Sequence, residues 1–186
     1  GVVLILDDVR AGSRLHDGGS HRFFGFTPDL ACYSKALGNG YAISACVGRE
    51  EYRKAAGDVF LTGSCWNDAV AMAAAKKCLE AATQRKVVEK LGNLGRRLAE
   101  GLESAAREHG FGFRMTGPSA MPFPWFEEDQ NLYLLQEFCS HCCEQGVFFH
   151  PHHNWFLCGA HDEAVIDNAI TVASTTFFKL REDAED

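Results

Sequence analysis

No apolar run in this 186-residue chain approaches the roughly 20 residues that a membrane-spanning helix needs. The start, "GVVLILDD", also lacks the charged n-region and the cleavage site of a signal peptide, so the chain reads as cytoplasmic. Basic residues are too few for a nucleic-acid footprint: 18 Lys and Arg face 25 Asp and Glu, the net charge is −7, and the end "REDAED" is acidic. Internal repeats and low-complexity segments are lacking as well. Methionine does not open the sequence, which starts directly in a strand-like apolar run. A core strand would look like this if a larger chain had been cut just before it, and a fragment is expected.

Eight cysteines are present, but without the regular spacing of a disulfide framework, and most sit in apolar or helical stretches, which favours reduced core thiols. The densest group is "CSHCCEQGVFFHPHH". There Cys139 and Cys143 share a helix face, and His141, His150, His152 and His153 lie close by. Paired CxxC knuckles are lacking, since only Cys139 and Cys142 have that spacing. Helix packing followed by a histidine-rich loop is therefore preferred to a zinc site, and no metal is expected.

With 46% apolar residues the chain can bury a core. "VVLILDD" is a continuous apolar run closed by acids, the pattern of a strand buried on both faces in a parallel sheet. After a glycine-rich, aromatic loop over residues 11–28, "DLACYSK" and "AISACVG" read as two further strands, with "ALGNGY" turning between them. "REEYRKAAG" predicts a short helix closed by Gly57, and "NDAVAMAAAKKCLEAA" is rich in strong helix formers. Val87, Leu91, Leu94, Leu98 and Leu102 recur at helical spacing up to a stop at Gly110. Beyond it, "FGFRMTG", "MPFPWF", "VFFH" and "NWFLCG" predict strands. "QNLYLLQEFCSHCCEQG" and "DEAVIDNAITVASTTFFKL" predict helices, the last with acids in its first turn. The change of character places a domain boundary near residue 109, giving domains of residues 1–108 and 109–186.

Two charged residues stand out. Ligands of open α/β sheets collect outside the carboxyl ends of the strands, and Asp7 and Lys35 both fall at such ends. The pair suits a structural ion pair. It equally suits a site where a lysine amine forms a Schiff base with a cofactor aldehyde and a carboxylate holds the cofactor's pyridine nitrogen protonated.

The surrounding wording carries a resemblance. "LILDDVRAGSR" resembles the D-E-V-x-x-G-x-R segment of class III aminotransferases, in the fold-type I pyridoxal phosphate superfamily. "TPDLACYSKALGNGYAISACVGR" resembles that family's lysine segment, and "FLTGSCWNDAVAMAAAKKCLE" its threonine-containing segment before an alanine-rich helix. "GVFFHPHHNWFLCGAHDEAVIDNAI" is similar to the C-terminal part of the glutamate-1-semialdehyde aminomutase branch. The four motifs follow the family's order and cover nearly the whole chain. The implied fold is α/β: residues 1–108 form the latter part of the cofactor-binding large domain, a mostly parallel sheet with helices, and residues 109–186 a small α+β domain.

The resemblance implies pyridoxal 5'-phosphate as cofactor and small amino and oxo compounds as substrates. Lys35 would be the Schiff-base lysine, Asp7 the pyridine-nitrogen partner, and Val9 a contact to the ring. Asp8 occupies the family's Glu position and is read as a solvated or hydrogen-bonded strand-end carboxylate, and Arg14 as structural. Ser64, or alternatively Thr62, would hold the phosphate, on a segment that crosses to the partner's cofactor in a homodimer; simple helix capping is the competing role for Ser64. His16, His21, Phe23, Phe24 and Phe26 are expected to pack on their own sheet, and His161 to bond near, and cap, the last helix. Whether Trp66 and Asn67 face the site stays open. "SKALGNGY" departs from the aminomutase wording at Tyr41 and Ala42, which favours an aminotransferase over an aminomutase. The family's N-terminal part has no counterpart here, so the isolated chain is expected to have negligible activity, and a truncated, non-catalytic scaffold is the remaining alternative.

Overall fold

In the computed structural model, which describes residues 1–127 and 129–185, the first apolar run yields a short strand, β1 (Ile5–Asp7). The chain divides into two units, Gly1–Val88 and Glu89–Asp186. In the first, residues 8–29 lead through the helix α1 (Ser20–Phe24) to β2 (Leu30–Tyr33), which lies parallel to β1 with Asp7 beside Cys32. A parallel return needs a crossover of about a dozen residues or more. Residues 34–44 are too few for one, so β3 (Ala45–Gly48) comes back antiparallel and the sheet order is β1-β2-β3.

Asp29 pins the ends of these strands. Its carboxylate accepts the Leu4 amide at 2.8 Å and the Arg49 guanidinium at 2.8 Å. The Leu4 amide, helped by Arg49, holds this carboxyl below the usual carboxylate range.

Two expectations about the first strand and the loop that follows it fail for identifiable reasons. β1 is not buried on both faces: among the described residues it pairs only with β2, its Ile5 is 59% exposed, and Val2 ahead of it is 96% exposed. The apolar pattern is that of an inner strand, and the described residues supply no cover for it. The loop over residues 11–28 contains the helix α1, five residues between Gly19 and Gly25, too short to leave an apolar period.

A 3-10 turn (Glu50–Tyr52) leads into α2 (Arg53–Asp58), which runs through Gly57 instead of stopping there. Gly57 does not adopt the left-handed conformation that ends helices; Gly110, with φ of 84°, does. The next helix, α3 (Ala69–Gln84), starts at Asp68, whose carboxylate accepts the amides of Val70 and Ala71 at 2.9 and 3.4 Å. Removing this N-cap as Asp68→Ala is expected to cost about 1 kcal/mol, read as a lower denaturation midpoint, with Asp68→Ser recovering most of it.

In the second unit α4 (Val87–Glu108) buries Leu91, Leu94, Leu98 and Leu102, the stripe visible in the sequence. The division between the units falls at the start of this helix, whereas the change of sequence character falls at its end. Gly95 lets the helix approach closely, since a Cβ there would stand 1.8 Å from the Ser119 carbonyl oxygen. β4 (Phe113–Thr116) and β5 (Phe123–Phe126) form an antiparallel hairpin, followed by α5 (Tyr133–Glu144) and α6 (Glu163–Glu185). Their core is aromatic: Phe138 stacks on Phe177 with centroids 4.7 Å apart, and Phe113 meets Phe126 edge-on at 4.9 Å. Arg97 of α4 and Asp167 of α6 form a two-pronged ion pair at 2.7 and 2.8 Å.

The strands predicted at residues 147–150 and 154–159 are absent. These segments are irregular, and the Trp155 and Leu157 amides, donated to the Pro122 and Ala120 carbonyls, tie them to the approach to β5. Ring stacking takes the place of a ladder, with Phe149 on Trp155 at 4.0 Å.

Candidate active site

The parallel register brings Asp7 and Lys35 to one edge of the sheet. Asp7 ends β1 beside Cys32, and Lys35 follows Cys32, Tyr33 and Ser34 past the end of β2. Val9 donates its amide to Asp7 Oδ1 at 3.1 Å, which fixes the carboxylate at the strand terminus. Both side chains are exposed, and among the described residues no ion pair joins them, so the plain ion-pair reading of this couple is not realised.

Lys35 opens a 3-10 turn (Lys35–Leu37) with φ of 45°. For a residue with a Cβ that region costs about 1–2 kcal/mol. Several hydrogen bonds hold the turn. The Lys35 carbonyl accepts the Gly38 and Asn39 amides, Ser34 Oγ donates to the Ile43 carbonyl at 2.9 Å, and Cys78 of α3 donates its thiol to the Ala36 carbonyl at 3.2 Å. Cys78 escapes a reading of the sequence, because a contact across 42 positions leaves no local signal.

Val9 is half-buried. Asp8, next to the site in sequence, turns to the interior. It is 1% exposed, Oδ2 accepts the Ser20 amide at 2.8 Å, and its own amide donates to the Cys32 carbonyl. It is thus a hydrogen-bonded buried carboxylate and not a solvated one. Gly19, with φ of 102°, passes between it and Tyr33, where a Cβ would stand 2.4 Å from the Tyr33 hydroxyl. Burial, with the Asp8 charge, pushes the Tyr33 hydroxyl up. Arg14 donates to the Arg10 carbonyl at 3.1 Å within the same loop. Phe23 and Phe24 meet edge-on at 5.0 Å and are more than half exposed, so they do not pack on their own sheet as expected.

Thr62 and Ser64 lie in an exposed irregular stretch before α3. Asp68, and not Ser64, caps that helix, which removes the competing role for Ser64. A cavity of about 650 Å³ is lined by Trp66, Asn67, Asp68, Met72, Ile43 and Ser34, among others. Trp66 and Asn67 therefore face a cavity that also touches the residue preceding Lys35.

The cysteines and histidines of the second unit do other work. Cys139 and Cys142 are buried in the core, and burial pushes their thiols up to about 12 and about 11. His150, His153 and His161 border a cavity of about 540 Å³ with Phe149, Asn154 and Trp155. Among the described residues no three His, Cys, Asp or Glu side chains converge on a metal position. His161 Nδ1 accepts the Cys158 amide at 3.3 Å and closes a turn, while Asp162 accepts the Val165 amide at the start of α6. His161 therefore bonds near the last helix without capping it.

The two buried thiols set an alkaline limit. Unfolded, they lose protons near the ordinary thiol value of 9.0; folded, they hold them to higher pH. Their contribution is fully present below that value and is lost as pH rises toward the folded values. Each thiol should cost the second unit up to about 1.4 kcal/mol per pH unit in that window. Denaturation midpoints followed from pH 8 to pH 11, with Cys139→Ala and Cys142→Ala as references, check this.

The fold and the strand-end pair can be set beside known proteins. The family model for Aminotransferase class-III matches residues 1–170, and the chain belongs to that family. It is 37% identical to an aminopentol aminotransferase of Sphingopyxis macrogoltabida over 183 residues, covering 98% of this chain and 43% of that protein. A glutamate-1-semialdehyde 2,1-aminomutase of Akkermansia muciniphila is 32% identical, over 96% of this chain and 45% of its own length. Among solved structures, the pyridoxal phosphate internal aldimine form of the FumI protein from Sphingopyxis sp. MTA144 matches with a TM-score of 0.96 and 36% identity, over all of this chain and 45% of that one. The chain thus spans less than half the length of these relatives.

Proposed function

We propose that this chain carries the cofactor-holding lysine and the ring-binding aspartate of a pyridoxal 5'-phosphate enzyme that moves an amino group between an amino substrate and an oxo-acid or aldehyde. The observation that carries this reading is the placement of Asp7 and Lys35 at the carboxyl ends of adjacent parallel strands, in a chain of the class III family. The residues present suit the group: an exposed primary amine on a constrained turn, a carboxylate oriented by a backbone amide, and Val9 beside it.

When bound, the cofactor supplies an aldehyde and a protonated pyridine ring that takes up the electron pair left when a proton leaves the substrate carbon. Lys35 Nζ would hold the cofactor, and its amine, once released, would carry that proton from the substrate carbon to the cofactor carbon. Asp7 would pair with the ring nitrogen. Val9 would pack on the ring, and Ser64, or Thr62, would donate its hydroxyl to the phosphate of a partner's cofactor across a homodimer interface. The enzyme works in the cytoplasm on small amino and oxo compounds.

The decisive experiment joins this chain to the remainder of a class III enzyme, adds pyridoxal phosphate, reduces with borohydride and maps the modified peptide. A label on Lys35 is expected; a label on another lysine, or none, sinks the reading and favours the non-catalytic scaffold. The aminomutase relative supports a second reading, amino transfer between two carbons of one substrate. Turnover of a single amino-aldehyde without any second oxo compound would select it.

A further inference from the structure

The antiparallel register sets Cys32 of β2 directly opposite Cys46 of β3. The type of pair follows from the ladder. The Arg49 amide donates to the Asp29 carbonyl at 3.0 Å, which makes Asp29 and Arg49 a hydrogen-bonded pair in the same register. Hydrogen-bonded and non-hydrogen-bonded pairs alternate along such a ladder. Leu30 and Gly48 are then non-bonded, Ala31 and Val47 bonded, and Cys32 and Cys46 non-bonded. In a non-bonded pair the Cα atoms stand about 4.5 Å apart and the side chains leave the same face close together. That separation falls inside the roughly 4.4–6.8 Å that a disulfide spans.

The two thiols are free. Their surroundings differ. Cys46 is exposed and Cys32 half-buried. Burial, the Cys46 thiol and the charge of the neighbouring Asp7 all push the Cys32 thiol up, so Cys46 meets an oxidant first.

We propose that Cys32 and Cys46 are a modification site, a thiol pair that a peroxide closes reversibly into a cross-strand disulfide. The Cys46 thiolate attacks one oxygen of hydrogen peroxide, the O–O bond breaks, and hydroxide leaves, giving the sulfenic acid. The Cys32 thiolate then attacks the Cys46 sulfur, the S–O bond breaks, and a second hydroxide leaves. The two thiol protons and two hydroxides become two waters; both sulfurs are oxidised by one electron each and the peroxide is reduced by two. The resulting link joins β2 to β3 just before the Lys35 turn. It rests on the β2–β3 register alone and stands whether or not the amino-transfer reading does.

The test treats the intact chain with hydrogen peroxide, blocks remaining thiols with N-ethylmaleimide, and maps peptides without reduction. The expected result is a Cys32–Cys46 linked peptide two hydrogens lighter than its parts, two blocked thiols fewer, and full reversal by dithiothreitol. In Cys32→Ser, Cys46 should stop at the sulfenic acid and be trapped by dimedone; in Cys46→Ser no linked peptide should form. Disulfides elsewhere with Cys32 and Cys46 still reduced, Cys46 driven to sulfinic acid while Cys32 is present, or an unreacted pair would each overturn the proposal. The unmodified chain alone distinguishes these outcomes, so a variant that fails to fold does not obscure them.

Discussion

Lys35→Ala, in a polypeptide that joins this chain to the rest of a class III enzyme, is expected to abolish the borohydride-fixed cofactor label and to lower amino transfer by at least about 10²–10⁴-fold. The range is what a single positioned acid–base group is worth, and it is a lower bound because in the proposed mechanism the same amine is also the covalent attachment point. Nothing structural should accompany the loss. The side chain is exposed and outside the core, and alanine relieves none of the turn's contacts, which run through the backbone of residues 35–39, Ser34 and Cys78. Two controls separate chemistry from structure. Lys35→Arg keeps the charge but offers no amine to the aldehyde, so it should be as inactive as alanine. Added methylamine should restore part of the rate in Lys35→Ala by supplying a diffusible base, which a merely structural defect would not allow. Unchanged activity in Lys35→Ala would remove the lysine from the mechanism.

The candidate site is legible because its two residues are local features, an acid closing an apolar run and a lysine between a strand and a glycine turn. What the sequence hides depends on register and long-range packing. Cys78 reaches the lysine turn from α3, and Cys32 meets Cys46 only because the segment between β2 and β3 is too short for a crossover. Among the elements, α4 was readable from its leucine spacing, whereas α1 is too short to repeat any period. The segments around Phe149 and Trp155 have the aromatic composition of strands, yet they are held by stacking, which composition does not distinguish from laddering. β1 is the instructive failure. Its unbroken apolar run implies neighbours on both faces, and here Val2 to Ile5 are exposed in a chain that spans 43% of the aminopentol aminotransferase. The pattern reports the environment the strand suits, which exceeds what these residues provide.

Phe177→Ala should be the most destabilising single change in the second unit, by about 3–5 kcal/mol, the usual cost of emptying a buried phenylalanine site. Phe177 is fully buried in α6 and touches four other rings: Phe138 at 4.7 Å, Phe113 at 5.5 Å, Phe111 at 5.7 Å and Phe126 at 5.9 Å. These rings come from the β4–β5 hairpin, α5 and the turn after α4, so the cavity would open where these elements meet. Rigid rings cannot fold into the space, which argues against collapse and for the upper part of the range. Against a typical domain stability of about 5–15 kcal/mol, such a loss removes a third or more of what a marginal unit has. Urea titration should show a lower midpoint with an unchanged slope, because the unfolded surface is nearly the same. Phe148→Ala is the matched control: Phe148 is 75% exposed, and its loss should stay within about 0.5 kcal/mol. Cys139 and Cys142, buried in the same core, provide an independent readout, since their reaction with a thiol reagent at pH 8 should quicken in Phe177→Ala and stay slow in Phe148→Ala. If both variants unfolded alike, the aromatic cluster would not be the centre of this unit's stability, and the helix pairing of α4 with α6 through Arg97 and Asp167 would have to carry it. An exposed ion pair is worth only about 0–1 kcal/mol and cannot carry it.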